Sequence, residues 1–536
     1  MGNNMNLGQY DMVLALSDSK VSYEFNQLLK QKRVSDRWHF LSNLDGEYIA
    51  NTGSNFEITR QAWLNQKDET RITDYANYDI LMDVTVAGFK VTFFKDSHTE
   101  LLFKIIIKEG EFCYFKNGNM NKCDLAGMEY AFRVPVSKLR ITSKDMYMLD
   151  EKSEEKLREE GFNDNDFLID SIFLDFQRAD VNQYSVKDSL LPKGISKLTY
   201  LQIALANYFK SLGSNKDNPY ILGYTVRKKK LIERDKALLY PTGASFSISY
   251  SNNVRESAFN FLLLTDHHQF PEAPQGGRID KSLVESASDK TTTASGVIAI
   301  DFQTFKNNYL DTITAKVTEA FKESFEDSGY YDSDSRSESK VVFKCSKGGA
   351  SMDFSLEKDG IRDVKESKCI SIDYIIKVSG NVHEEKSALI GTVGVNQKFS
   401  TNGKYEINKK KGKEGTLKIR LRASSEGKIE IEPLYEAPLV GRDSDGPEYK
   451  HGLDRLWSGI SDFFAAIAGV QMAYTESLLS RIGSELGEMT FKGIQDFSNK
   501  VILPGSNVYT FKDIRLLNGK QDNSDAVLFD IAYALT

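Results

Sequence analysis

The strongest pattern in the chain is a long apolar stripe over residues 451–497. Apolar side chains recur there at steps of three and four residues, the spacing of one helix face. They are Leu453, Leu456, Trp457, Ile460, Phe463, Phe464, Ile467, Val470, Tyr474, Leu478, Ile482, Leu486 and Met489. No proline interrupts the stretch, so we predict a helix of roughly 65–70 Å at ~1.5 Å per residue. Charged side chains break every apolar window long enough to span a membrane.

Most of the remaining pattern predicts β-strands. Alternating or continuous apolar runs lie at 80–112, 132–141, 168–178, 220–226, 244–250, 257–264 and 295–300. Shorter helical patterns lie within 10–33, 197–212 and 302–325. The apolar stripe must be covered, and the chain offers mainly strands to cover it. We therefore predict an α+β fold in which long α-helices are wrapped by highly curved antiparallel β-sheets.

Residues 340–440 are predicted to form a second antiparallel sheet. Its clearest hairpin is 416–432, with Leu417, Ile419 and Leu421 on one face and charged side chains on the other. Pro433 is expected to end the second strand of this hairpin. The acidic, serine-rich segment 326–339 before this sheet is expected to be a flexible linker.

The pattern divides the chain into three parts. Residues 1–215 are predicted as an N-terminal half with the order helix, strands, helix. Residues 216–295 form a central strand-rich connection, and 296–536 form a C-terminal half that contains the stripe at 451–497. A chain of 536 residues exceeds what one hydrophobic core usually serves, which favours such a division.

Charge and composition narrow the function. The net charge is −7, which argues against general nucleic-acid binding. The N-terminal stretch lacks a basic start and an apolar core, so a signal peptide is not expected. The expected compartment is the bacterial cytoplasm, and an extracellular role after release stays open.

The sequence offers no catalytic motif. It contains no GxSxG, no P-loop, and no GxGxxG following a strand. None of the four cysteines has CxxC spacing, which makes a zinc site unexpected. We therefore expect no catalytic residues, no metal, no cofactor and no enzymatic activity.

Two local features have competing interpretations. His267 and His268 follow Asp266 and could hold a metal or act in acid–base chemistry, but a polar loop after an apolar strand is favoured. Cys113 and Cys123 flank a turn and could face each other across a hairpin, but free thiols are favoured.

Several segments together resemble one protein family. They are MVLALSDSKVSYEFNQLL at Met12, NPYILGYTV at Asn218, SAFNFLLLTDHHQFPEAP at Ser257, SGVIAIDFQTFKNNYLD at Ser295, LPGSNVYTFKDIRLL at Leu503 and FDIAYAL at Phe529. These segments are similar to the OrfX and "P-forty-seven" proteins, which are encoded beside some clostridial botulinum-type neurotoxins and have relatives in other bacterial toxin loci.

The resemblance implies the TULIP (tubular lipid-binding) fold, in which a curved antiparallel sheet wraps a long helix around an apolar groove. It implies the role of a non-enzymatic toxin accessory that associates with membranes and with other toxin-locus proteins. Lipid or phosphoinositide binding is a theme of the family, and some members are insecticidal. Because fold constrains function weakly, these are expectations.

Two sets of residues are candidates for lipid contact. The groove candidates, on the stripe, are Leu456, Trp457, Ile460, Phe463, Phe464, Ile467, Tyr474, Leu478 and Ile482. The candidates for binding anionic head groups are Arg227, Lys228, Lys229, Lys230, Lys409, Lys410 and Lys411. A buried core explains the first set as well, and solvated hairpin tips explain the second.

Three functional hypotheses remain. The favoured one is a TULIP-fold accessory that binds lipid or membrane head groups and a protein partner. The alternative is a protein-interaction scaffold of the same fold with a sealed groove and no lipid function. A lipid hydrolase is the most distant, because it needs a nucleophile, a base and an orienting group within reach of each other.

Overall fold

The structure is a computed structural model. It describes residues 7–534 with gaps at 51–55, 65–76, 117–118, 143, 146–150, 160, 193–197, 213–217, 232–237, 253–255, 273–278, 280, 285–295, 329–330, 338, 348–349, 391–394, 408–414, 437–477, 487–490, 492–493, 495, 505–507 and 518–524.

The chain folds into two compact units. The first unit contains residues 1–301, 492–512 and 530–536, and the second contains 302–491 and 513–529. The segment 216–295, predicted as a central connection, contributes three strands to the first unit.

The first unit contains most of the strands. Their bounds are β1 Met12–Ser17, β2 Arg37–Ser42, β3 Tyr48–Ala50, β4 Ile80–Thr92, β5 Glu100–Lys116, β6 Asn119–Asp124, β7 Glu129–Ile141, β8 Phe167–Leu174, β9 Ile221–Lys228, β10 Gly243–Ser249, β11 Ala258–Leu264, β12 Gly296–Asp301 and β20 Val501–Ile502. Its helices are α1 Asp18–Lys30, α2 Phe56–Leu64, α3 Glu151–Glu159 and α4 Leu198–Ser211, with a 3₁₀ turn at Phe497–Asn499.

The second unit contains β13 Tyr331–Arg336, β14 Lys340–Lys347, β15 Ala350–Val364, β16 Cys369–Ile390, β17 Val395–Ile407, β18 Gly415–Ala423 and β19 Ile429–Glu436, with a 3₁₀ turn at Lys365–Ser367. Its helices are α5 Phe302–Phe305, a π-helical segment Lys306–Leu310, α6 Asp311–Ser328 and α7 at 478–486. The last two strands, β21 Val508–Leu517 and β22 Ala526–Ala534, are divided between the units.

The strands form three sheets whose described pairings are antiparallel. A nine-stranded sheet has the order β20-β9-β8-β7-β5-β4-β2-β3, with β6 paired to β5. A six-stranded sheet has the order β10-β11-β1-β12-β22-β21. A seven-stranded sheet has the order β13-β14-β15-β16-β18-β19, with β17 paired to β16. The sheets are curled, and bulges in β4 and β15 increase local twist. The predicted α+β class with curved antiparallel sheets is confirmed.

Helix α1 shows how the sequence builds the first unit. Its N-cap is Ser17, whose Oγ accepts a hydrogen bond from the Lys20 backbone N–H at 3.2 Å. The helix packs against β4. Asn26 fixes that contact, because its amide donates to the Phe89 carbonyl and accepts from the Phe89 N–H, both at 2.8 Å.

The second unit confirms the predicted hairpin and corrects two details. Strands β18 and β19 pair as expected, with Leu421 opposite Ile431. Pro433 does not end the second strand, which continues to Glu436; proline is tolerated because β19 lies at the edge of the sheet. The segment 326–339 is not a linker throughout, because α6 reaches Ser328 and β13 pairs with β14.

Only part of the predicted helix at 451–497 lies among the described residues. Residues 478–486 are helical, whereas 491 is not and 497–499 form a 3₁₀ turn, so no single helix reaches 497. Residues 451–477 lie outside the described residues. The longest described helical run is 302–328, which the helical pattern at 302–325 predicted.

Candidate lipid-binding site

Aromatic side chains fill the space between the helices and the nine-stranded sheet of the first unit. The Phe103 ring, on β5, lies at the centre and is fully buried. Its centroid lies 5.3–6.2 Å from the rings of Phe25, Phe89, Phe132, Phe176, Phe209 and Tyr220. These six rings come from α1, α4, two strands and two loops. The described interior of this unit is therefore a packed core of interlocking rings.

The second unit buries one face of α6 on its sheet. Phe321 and Phe325 of α6 contact Phe354 of β15 at centroid distances of 5.3 and 5.0 Å. Helix α7 lies alongside α6, where Lys316 donates to the Glu485 carbonyl at 2.9 Å. Arg481 adds ion pairs to two acidic side chains of α6. Aromatic contacts thus hold α6 on the sheet, and polar and ionic contacts hold α7 against α6.

Two of the nine predicted groove residues lie among the described residues. Leu478 and Ile482 lie on α7 and are buried. The other seven lie in the gap at 437–477, outside the described residues. Whether the stripe lines a groove therefore stays a prediction.

The π-helical segment Lys306–Leu310 contains a buried tyrosine, Tyr309. Tyr309 lies in the π-helical segment between α5 and α6, stacked on Phe491 with centroids 5.0 Å apart. Its hydroxyl is buried and has no hydrogen-bond partner among the described residues, and burial raises the pKa of Tyr309. Tyr374 on β16 is equally buried, but its hydroxyl bonds Thr314 Oγ1 at 2.9 Å.

These two tyrosines form a matched pair for mutation. We expect Tyr309→Phe to leave the free energy of unfolding of the second unit unchanged or to raise it, because it removes a buried hydroxyl that makes no hydrogen bond to any described residue. Tyr374→Phe should lower it by about 1 kcal/mol, because it breaks a buried hydrogen bond. Urea unfolding followed by near-ultraviolet circular dichroism measures both. A Tyr309→Phe loss as large as that of Tyr374→Phe would show that the Tyr309 hydroxyl is bonded.

The residues of the predicted basic segment at the end of β9 differ in burial. Arg227 is buried, and its Nη2 donates to Asp170 Oδ2 at 2.6 Å. Lys228 lies with its Nζ 4.5 Å from the centroid of the Tyr240 ring. Lys229 and Lys230 are exposed. Arg227 is therefore held inside the protein, whereas Lys229, whose Nζ donates to the Asp164 carbonyl, and Lys230 are exposed. Lys409, Lys410 and Lys411 lie outside the described residues.

The sequence analysis missed two basic residues beside this segment. Lys138 and Arg140 lie on β7, two residues apart and so on one face of the strand, and both are exposed. Arg140 Nε lies 2.7 Å from Asp170 Oδ1. Lys138 Nζ donates to the Ala244 carbonyl at 3.1 Å. The signal was the alternation Ser-Lys-Leu-Arg-Ile at 137–141, in which two cations share one face.

The histidine pair lies in a strained turn. Asp266 and His267 both have positive φ, at 47° and 59°, which is uncommon for residues other than glycine. His268 Nδ1 lies 2.9 Å from Asp11 Oδ2, and the Thr265 N–H donates to the same oxygen at 2.6 Å. Asp11 thus ties this turn to the start of β1. Among the described residues no group of three His, Cys, Asp or Glu side chains could hold a metal ion.

The cysteine pair does not form a disulfide. Cys113 on β5 pairs with Lys122, and Cys123 on β6 pairs with Phe112. The two thiols therefore sit at successive positions of the ladder, on opposite faces. Both are free, as favoured from sequence, and burial raises the pKa of the Cys113 thiol to about 11.

No helix in the described part of the chain is long and apolar enough to cross a membrane.

Comparisons with known proteins give weak matches only. No protein-family profile and no curated protein matches the chain. Among solved structures, P47 from Clostridium botulinum A2 is 12% identical with a TM-score of 0.35, covering 76% of this chain and 83% of that one. P47 of Clostridium botulinum E1 is 11% identical with a TM-score of 0.38, covering 98% and 99%. A lipopolysaccharide binding protein is 9% identical with a TM-score of 0.27, covering 98% and 100%. At these TM-scores the matches establish neither the fold nor the function of this chain.

Proposed function

We propose that this chain is a non-enzymatic accessory of a bacterial toxin locus. In this proposal it has a TULIP-like fold, binds lipid head groups at a membrane surface, and assembles with partner proteins of the same locus. It is made in the bacterial cytoplasm and acts without a metal or cofactor.

The segments that resemble the OrfX and "P-forty-seven" proteins support the proposal by their position. Five of the six contain strands β1, β11, β12, β21 and β22, which are five of the six strands of one sheet. Segments far apart in sequence thus converge on one structural element. Such convergence is expected if the resemblance reflects a shared core, which packing requirements preserve.

The observation that carries head-group binding is the basic end of the nine-stranded sheet. Where β7 and β9 end, it presents the exposed side chains of Lys138, Arg140, Lys229 and Lys230. Each basic residue near an anionic membrane surface contributes about 1 kcal/mol of attraction. A cluster of four is therefore enough for measurable, reversible binding, although the whole chain carries a net charge of −7.

The test is flotation of the full chain with vesicles. We expect the protein to float with phosphatidylcholine vesicles that contain phosphatidylglycerol and to remain in solution with phosphatidylcholine alone. Equal recovery with both vesicle types would overturn head-group binding as the basis of membrane contact, and so would recovery with neither.

A second candidate function is a pure protein-interaction scaffold. It is favoured by the aromatic rings that fill the described interior of the first unit around Phe103. Organic extraction of the purified native chain, followed by mass spectrometry, separates the two. A stoichiometric lipid would exclude the scaffold. No retained lipid, together with no flotation on anionic vesicles, would favour it.

A further inference from the structure

Three cations on neighbouring strands of the first unit surround a single buried carboxylate. Arg140 on β7 and Asp170 on β8 are directly paired in register, and Arg227 lies on β9, which pairs with β8. Asp170 is 2% exposed. One of its oxygens lies 2.7 Å from Arg140 Nε and the other 2.6 Å from Arg227 Nη2. Lys138 lies two residues before Arg140 on the same face.

The charges in this cluster do not balance. Among the described residues one carboxylate faces two guanidinium groups and one ammonium group, which leaves a surplus of two positive charges. In the part of the chain that the structure describes, Asp170 is the carboxylate whose charge acts on Lys138, and the other two charged groups that act on it are Arg227 and Arg140. Desolvation of the ammonium lowers the pKa of Lys138. The Asp170 carboxylate raises this pKa, and the two arginines lower it. A nearby anion would relieve this repulsion.

The cluster also has directional donors that point away from the carboxylate. Arg140 uses Nε for Asp170, and its side chain is 45% exposed. Its two terminal nitrogens have no partner among the described residues. They form one edge of the planar guanidinium, an edge that can donate two parallel hydrogen bonds to a phosphate. Lys138 uses one ammonium proton for the Ala244 carbonyl and keeps two more. Arg227 is too buried to contact a bound anion directly, but its positive charge still attracts that anion.

We propose that Lys138 and Arg140, backed by Arg227 and held in place by Asp170, form a binding site for a phosphomonoester group. A phosphomonoester carries a charge near −2 at neutral pH, which matches the surplus, whereas a phosphodiester carries −1. The group comes either from a lipid head group or from a free phosphate. The lipid source rests on the membrane binding proposed above.

The test compares two double variants of the full chain. Lys138→Gln with Arg140→Gln removes the accessible cations while Arg227 still pairs with Asp170, so the fold is preserved. The control is Lys108→Gln with Arg158→Gln, which removes one lysine and one arginine that are 65% and 70% exposed elsewhere in the first unit. Unfolding midpoints in urea verify that both double variants are folded.

The probes are phosphatidylcholine vesicles containing phosphatidic acid, matched vesicles containing phosphatidylglycerol at equal surface charge, and inorganic phosphate. We expect wild type to prefer phosphatidic acid by about tenfold. We expect the site variant to lose about 30-fold in binding to phosphatidic acid, at about fivefold per charge, and the control to lose less than threefold. Arg140→Lys, which keeps the charge without the fork, should fall between them.

The outcomes separate the site from the function. If wild type binds both vesicle types and the site variant binds as the control does, the site is wrong and membrane binding stands. If wild type binds inorganic phosphate in calorimetry through Lys138 and Arg140 but neither vesicle, the site stands with free phosphate as its ligand, and membrane binding is wrong. If wild type binds none of the probes, both are wrong.

Discussion

Phe103→Ala is expected to lower the free energy of unfolding of the first unit by about 3–5 kcal/mol. The Phe103 ring is fully buried and touches six other aromatic rings, from α1, α4, strands and loops. Removing it deletes ring contacts of the sheet with α1 and with α4. The surrounding rings are rigid and collapse only partly into the space, so the cavity adds to the loss of transfer free energy.

Urea unfolding with tryptophan fluorescence measures this loss. Trp38 and Trp63 are buried in the first unit, so a Trp457→Phe background restricts the signal to that unit. Phe270→Ala is the control, because Phe270 is 42% exposed and its removal should cost less than about 0.5 kcal/mol. A Phe103→Ala midpoint equal to that of Phe270→Ala would contradict a packed aromatic interior.

Arg227→Met is expected to lower the free energy of unfolding of the same unit by about 3 kcal/mol. The Arg227 guanidinium is buried against Asp170, which is 2% exposed. Without Arg227 the Asp170 carboxylate keeps one ion pair within the described residues, to the half-exposed Arg140. A buried carboxylate that has lost one of its two ion pairs lowers the free energy of unfolding by much of the penalty for an unpaired buried charge.

A double variant isolates this penalty. Arg227→Met with Asp170→Asn should be more stable than Arg227→Met alone, because the buried charge is gone. Arg140→Gln should cost less than about 1 kcal/mol, as expected for a pair with one exposed partner. If Arg227→Met unfolds at the wild-type urea concentration, the ion pair is not structural, and Arg227 returns as a head-group candidate.

The sequence predicted the elements whose signal is local. The apolar runs at 257–264 and 295–300 became β11 and β12, and the helical pattern at 302–325 became the run 302–328. Pro433 misled because a proline is compatible with an edge strand, and edge position depends on which strands pair. The acidic segment 326–339 misled because β13 forms by pairing with β14, a contact that composition does not encode.

The candidate site was less predictable, because its members are distant in sequence. Arg227 was chosen for its place in a basic run, but its guanidinium donates to Asp170, which lies at a diagonal position on the neighbouring strand β8. Successive side chains of a strand point to opposite faces of the sheet. Arg227 is therefore on the same face as Asp170, and Lys228 is on the opposite face. Arg140 and Asp170 are 30 residues apart and meet only through the pairing of β7 with β8. A charge run in the sequence therefore does not show which of its side chains are buried and which are exposed.

The salt dependence of vesicle binding tests the central claim most directly. Surface attraction between basic side chains and anionic head groups is screened as the Debye length shrinks from about 10 Å at 0.1 M salt to about 3 Å at 1 M. We predict that the full chain binds phosphatidylglycerol-containing vesicles at low salt and loses at least about tenfold in affinity across this range, with no binding to neutral vesicles. Binding that is equal for neutral and anionic vesicles and unchanged by salt would contradict the account.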